Sequence, residues 1–229
     1  MKICLLYSKK DAPTPEKCGL MRGLISHAVR ENTLYTAKNL PFDTADILVV
    51  SADAINASIA SAIRNEASRR KAHGVFLDTE CDFPENAFAP LSVFTPQRTR
   101  LPRNSVPVIE TTFSGGSLIE YIEAFSPPFS ISIKRTAQEF LLPAEDACGK
   151  ELSQSELRRL FSRHNPDIFF SPELYRKYFM YEPEKSRVAL VLFDDAETIS
   201  HKLRLAKKHG ASHAFIVYDE ISDIFDDIF

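Results

Sequence analysis

The stretch from Asp46 to Glu80 constrains the fold more than any other part of the chain. Asp46-Ile47-Leu48-Val49-Val50-Ser51 is an apolar run of strand length. Asn56 can cap a helix running to about Ala72, with Ile59, Ile63 and Ala67 on one face at helical spacing. Gly74 is expected to end that helix, and Val75 to Glu80 to form the next strand. A crossover of this length is what parallel neighbours require, whereas antiparallel ones need only a tight hairpin.

The alternation continues along the chain. Lys2 to Tyr7, Val106 to Thr112, Phe129 to Arg135, Val188 to Phe193 and His213 to Tyr218 are strand-like. Gly116 to Phe125 is a short helix. Ser153-Gln154-Ser155-Glu156 fits a capping box opening a helix that turns Leu157, Leu160 and Phe161 inward. Asp167 to Tyr181 is aromatic-rich and irregular, and a further helix starts at Asp195 or Thr198 and stops at Gly210. This order predicts an α/β protein with a mainly parallel sheet and helices outside it. A length of 229 residues favours one domain or at most two small ones.

Several function classes lose support. The net charge of −3 gives no global basic field for nucleic acid. Arg69-Arg70-Lys71 and Lys207-Lys208-His209 fall at helix ends, where the helix dipole accounts for them. The apolar run after Met1-Lys2 is too short for a secretory signal, and no run approaches the length of a membrane span, so a cytoplasmic protein is expected. Cys4, Cys18, Cys81 and Cys148 lack the clustering of a zinc site or a disulfide framework, which implies reduced thiols and no metal. Neither a Gly-x-Gly-x-x-Gly turn nor a Walker loop occurs, and Gly115-Gly116 is better explained as a turn than as an anion site.

Asp78 and Glu80 carry the most chemistry. Two residues apart on a strand, they would share a face at its C-terminal end, where parallel barrels do their chemistry. A strand-end carboxylate is more often solvated or salt-bridged than catalytic, so the pair alone is a weak signal. Cys81 beside it is a free thiol without a His partner at a telling spacing. The interleaved acidic and apolar residues from Asp219 to Phe229 suit a docking terminal helix.

Two regions resemble the glycoside hydrolase family 18 barrel, in particular its spore-cortex-lytic and spore-germination branch. The first is His73-Gly74-Val75-Phe76-Leu77-Asp78-Thr79-Glu80, set against the family's Asp-Gly-x-Asp/Asn-x-Asp-x-Glu strand. Gly74, Asp78 and Glu80 match, while His73 and Phe76 replace acidic or amide residues. The second runs from Ser153 to the last strand and includes Phe193-Asp194-Asp195-Ala196-Glu197-Thr198-Ile199-Ser200-His201-Lys202, similar to the branch's Phe-Asp/Glu-Asp-Ala-x-Ser-Ile-x-x-Lys element. Phe140-Leu141-Leu142-Pro143 is similar to the Trp-Thr-Leu-Pro that precedes it.

The resemblance implies a shortened or degenerate (β/α)8 TIM-type barrel, a single domain over residues 1–229. It implies an N-acetylated glycan as partner, such as chitin oligosaccharide or peptidoglycan, and no cofactor. Glu80 would be the general acid, and Asp78 would orient the acetamido group in substrate-assisted retaining hydrolysis. The family's sugar-site Trp falls on Val217, and the chain has no Trp, so Tyr218, Phe113 and Tyr7 are the aromatic candidates for a sugar platform. These departures also suit a catalytically lapsed barrel that binds a glycan or a protein. A third reading is an unrelated parallel α/β enzyme.

Overall fold

The computed structural model describes residues 1–8, 19–84, 86–97, 104–113, 115–143, 149–183 and 187–229, so Cys18 and Cys148 lie outside the described residues. The elements in order are β1 (Lys2–Tyr7), β2 (Leu20–Arg30), β3 (Thr33–Thr36), β4 (Ile47–Ala52), α1 (Ala57–Arg69), β5 (Gly74–Asp78), β6 (Ser92–Pro96) and β7 (Ser105–Glu110). There follow α2 (Leu118–Glu123), β8 (Ser130–Ile133), β9 (Ala137–Leu142), β10 (Lys150–Glu151), α3 (Gln154–His164), β11 (Phe169–Ser171) and β12 (Arg176–Tyr181). The last are β13 (Val188–Phe193), α4 (Ala196–Lys208), β14 (His213–Val217), α5 (Tyr218–Ile221) and α6 (Phe225–Ile228). Two compact units divide them. One comprises Met1–Glu110, Ser126–Ser132 and Gly210–Asp219, and the other comprises Thr111–Phe125, Ile133–His209 and Glu220–Phe229.

The first unit is a closed parallel barrel. Its strands run β1-β14-β8-β7-β6-β5-β4-β2, and pairing of β1 with β2 closes the ring at eight. Closure leaves these strands no free edges except where β3 adds to β2 as an antiparallel hairpin arm. The barrel is shortened in the way the sequence implies. Thr79 to Leu91 crosses from β5 to β6 without a regular helix among the described residues.

Helix α1 forms where the periodicity places it. The Asn56 side chain accepts the Ile59 N–H at 2.9 Å, and Ile59, Ala60, Ile63 and Ala67 are buried against the outer face of β4 and β5. Burying each isoleucine contributes roughly 1.5–3 kcal/mol. Gly74 does not end this helix, as the sequence suggested. Arg70 is the C-cap, Lys71 turns the chain at φ 59°, and Gly74 is the first residue of β5. Nor is Arg70 only a dipole partner. It is buried, donates from Nε to Glu66 at 2.9 Å, and reaches the carbonyls of Phe42 and Asp43.

Along each barrel strand, alternate residues fill two separate layers. Cys4, Leu6, Ile47, Val49, Phe76, Phe94, Val108 and Phe215 form the barrel interior. Leu48, Val50, Val75 and Leu77 face α1 and the surrounding loops. Gly74 points inward, where a Cβ would meet Ile47 Cδ1 at 2.6 Å. Cys4 is fully buried, and burial, aided by the Asp46 charge, raises its thiol pKa well above the ordinary range.

The second unit holds an antiparallel sheet, β10-β9-β13-β12-β11. Val188–Phe193, expected in a parallel sheet, lies here between β9 and β12. Ser153 and Glu156 make the reciprocal capping box of α3, and Leu157 and Phe161 pack on Phe179 and Phe193. The aromatic stretch that was irregular by pattern is the β11–β12 hairpin. No helix among the described residues is long and apolar enough to cross a membrane.

Candidate functional site at the barrel mouth

Inward-facing residues at the C-terminal strand ends define the mouth of the barrel. On β5, Phe76 is inward, so Asp78, two residues on, takes the same face one layer higher. On β4 the step from Val49 leads to Ser51, the register partner of Asp78. Ser51 Oγ donates to Asp78 Oδ2 at 3.4 Å. On β7 the step from Val108 leads to Glu110, which is exposed and opposite Ser132 of β8. Beyond β14, Asp219 Oδ2 accepts a hydrogen bond from Ser8 Oγ at 3.2 Å.

The mouth therefore gathers polar groups over an apolar plug. Immediately below Asp78, the Phe76 ring lies 5.0 Å from that of Phe215, and Phe94 lies 5.1 Å from Phe215. At the opposite end of the barrel, His213 meets Phe94 edge-on at 4.7 Å. Burial, together with the Lys2 and His73 charges, lowers the His213 pKa to about 4.

Glu80 is exposed at the same end of β5, but the strand ends at Asp78. The Thr79 N–H bonds back to the Leu77 carbonyl at 3.0 Å, and Thr79 Oγ1 accepts the Cys81 N–H at 3.1 Å. Strand alternation thus places Asp78 on the inner face but does not extend to Glu80. Cys81 takes a hydrogen bond from Thr79 Oγ1 at its sulfur and packs against the outer core layer.

The aromatic candidates are all engaged in packing. With Leu6 inward, the pleat turns Tyr7 outward, and Tyr218, the first residue of α5, lies against it. Both are buried, at 1% and 6% exposure, and their rings stack at 5.1 Å. Burial, with Tyr218 beside it, pushes the Tyr7 phenol up to about 12. Phe113 belongs to the second unit, edge-on to Tyr121 at 4.7 Å and packed beside Phe140, Leu174 and Leu192. Val217, at the family's Trp position, does face the barrel interior. His73 is an exposed loop residue at the opposite end of β5 from Asp78.

Ser8, Ser51, Glu110 and Asp219 are not site candidates by sequence, although a signal is present. Val108-Ile109-Glu110 and Ile216-Val217-Tyr218-Asp219 both close an apolar run with a carboxylate, as Phe76-Leu77-Asp78 does.

No protein-family model and no curated protein sequence matches the chain. Solved structures do. The spore cortex-lytic enzyme SleL of Bacillus megaterium QM B1551 aligns with all of this chain and 74% of its own, at 13% identity and a TM-score of 0.61. SleL of Bacillus cereus aligns over 94% of this chain and 70% of its own, at 15% identity and a TM-score of 0.63. A family 18 chitinase of Cycas revoluta, solved with (GlcNAc)3, aligns over 90% of this chain and 89% of its own, at 14% identity and a TM-score of 0.56. The closed ring of eight parallel strands is thus the barrel fold that the chain shares with these structures.

Proposed function

We propose that the barrel mouth binds an N-acetylated glycan and hydrolyses it by the substrate-assisted retaining route. The observation that carries this reading is Asp78, held on the inner face at the C-terminal end of β5 with Glu80 two residues beyond. Glu80 donates its proton to the glycosidic oxygen as the C1–O bond breaks. The substrate's acetamido oxygen closes on C1 to give an oxazolinium ion. Asp78, oriented by Ser51, holds the acetamido N–H and balances the positive charge. Water then attacks C1, and Glu80 takes up its proton. The likeness to SleL and to a chitinase bound to (GlcNAc)3 supports the substrate class.

The test is release of product from a chromogenic chitobioside and from cortex-type peptidoglycan fragments. Turnover that disappears in Glu80→Gln supports the reading. Absence of turnover by the wild-type chain across a panel of N-acetylated glycans sinks it.

A second reading, a catalytically lapsed barrel that retains glycan binding, is favoured by Phe76 and Val217. Both place apolar side chains where the resemblance expects an Asp or Asn and a Trp, and Phe76 is only 9% exposed. Calorimetric binding of chito-oligosaccharide without product release would identify it.

A further inference from the structure

We infer that Tyr35, on the β2–β3 hairpin, is the aromatic platform of a distal sugar subsite on the same face as Asp78. This rests on the glycan reading of the barrel mouth and extends it to a longer polymer. Strand β2 runs past the end of β1. A register irregularity between Ile25 and His27 marks where it leaves β1 and takes up β3 instead. Glu31 and Asn32, at φ 49° and 58°, make the tight turn that suits a two-residue hairpin.

Cross-strand register fixes the direction of Tyr35. Tyr35 is opposite Ala28, Ala28 is opposite Ser51, and Ser51 is opposite Asp78. Directly opposed residues share a sheet face. The row Tyr35-Ala28-Ser51-Asp78 therefore lies on one face across four strands. The opposite face is independently accounted for. Leu34 and Val29 pack into the outer core cluster, and His27 Nε2 donates to the Glu66 carboxylate of α1 at 3.2 Å. Asn56 Nδ2 donates to Asn32 Oδ1 at 3.3 Å and ties the hairpin tip to the cap of α1.

Tyr35 is 52% exposed, and beside it a pocket of about 620 Å³ is lined by Ile25, Ala28, Arg30 and Glu31 among others. Ala28 keeps the path between Tyr35 and Ser51 low, and Arg30 and Glu31 supply exposed charge at the rim. A pyranose ring offers an apolar C–H face to an aromatic ring and hydroxyls to such a rim. Three strand spacings separate Tyr35 from Asp78, roughly 14 Å along the sheet. That is the length of a short oligosaccharide, not of one sugar.

The experiment measures binding of β-1,4-linked GlcNAc oligomers of increasing length by calorimetry, in the Glu80→Gln background so that turnover does not consume the probe. Affinity should rise with length. Adding Tyr35→Ala should flatten that rise, with a loss of roughly tenfold for the longest oligomer, and Tyr35→Phe should restore it. Unchanged affinity in Tyr35→Ala at every length, or no binding at any length, overturns the assignment. A change in sedimentation instead of affinity also overturns it, in favour of pairing between copies along β3. Binding that depends on Tyr35, with no product released by the wild-type chain, removes hydrolysis but leaves this subsite standing. Product release indifferent to Tyr35 does the reverse.

Discussion

Lys202 Nζ donates to Asp194 Oδ1 at 2.6 Å, and both side chains are fully buried. Arg176, also fully buried, brings Nε within 3.4 Å of Asp194 Oδ2. Its two terminal nitrogens bond to the carbonyls of Phe113 and Leu192, to Gln138 and to Thr136. Burial lowers the pKa of both cations, and Asp194 opposes that shift. Asp194 and Lys202 bracket the Phe193 to Lys202 element that carries much of the family resemblance. Asp195 within it caps α4, its carboxylate accepting the Thr198 N–H at 3.0 Å. In the second unit this signature is an architectural device.

Asp194→Asn leaves two buried cations facing a neutral amide, and should destabilise the chain by about 3–5 kcal/mol. Lys202→Met should cost less, because Arg176 still neutralises Asp194. Urea unfolding of both variants checks the order. Equal or negligible losses would mean that the cluster is not a single ionic unit.

Gly74→Ala places a methyl 2.6 Å from Ile47 Cδ1, 3.2 Å from the Ser92 carbonyl and 3.3 Å from Phe94 Cε2. The barrel interior has little room to give, so a loss of about 1–3 kcal/mol is expected. The measurement is the denaturation midpoint. A wild-type midpoint would show that the interior repacks without strain.

Phe76→Asp introduces one of the two residues, Asp or Asn, that the resemblance expects here, but into a layer shared with Phe94 and Phe215. Losing the ring and burying a carboxyl there should cost about 3–5 kcal/mol. Thermal unfolding should report the loss, and glycosidase assays should show no gain. Increased turnover would overturn the view that the plug beneath Asp78 is structural.

Acid should destabilise the barrel in two stages. The His213 pKa is lowered from 6.5 to about 4 by burial and nearby positive charge. The unfolded chain therefore takes up this proton first, and stability falls as pH drops from 6.5 towards 4. Burial alone would raise the Glu66 pKa, but hydrogen bonds from Arg69, Arg70 and His27 outweigh it and lower the value from 4.5 to about 2. Its contribution is present above 4.5 and is lost as pH falls towards 2. Urea midpoints against pH should show both limbs, and His213→Gln should shrink the upper one, leaving the part that belongs to His27, whose pKa burial also lowers. A flat profile from pH 7 to 4 would contradict the assignment.

Much of the fold was legible because it is local. Asn56 caps α1, Ser153 and Glu156 box the start of α3, and Lys2–Tyr7 is a strand, all from residues within a few positions of each other. Strand β2 was not legible. Gly23, Ser26 and His27 interrupt its apolar pattern, and it holds because β1, β3 and β4 bond to its two edges. Strand β6 was missed because no regular crossover helix among the described residues announces it. Tyr7 and Tyr218 were sugar-platform candidates because an aromatic at a strand end can face either way until a neighbour fixes the phase.

By itself the sequence determined the parallel β4–α1–β5 unit, its cap, and the presence of Asp78 and Glu80 at one strand end. It also carried enough family pattern to imply the shortened barrel. Only the tertiary structure decided which face is inward, and so set Tyr7 outside, with Tyr218 stacked on it, and Asp78 within. Periodicity fixes the relative phase of side chains along a strand, whereas their absolute direction is fixed when distant strands close the ring. The row from Tyr35 to Asp78 and the Asp194–Lys202 pair both depend on contacts of that distant kind.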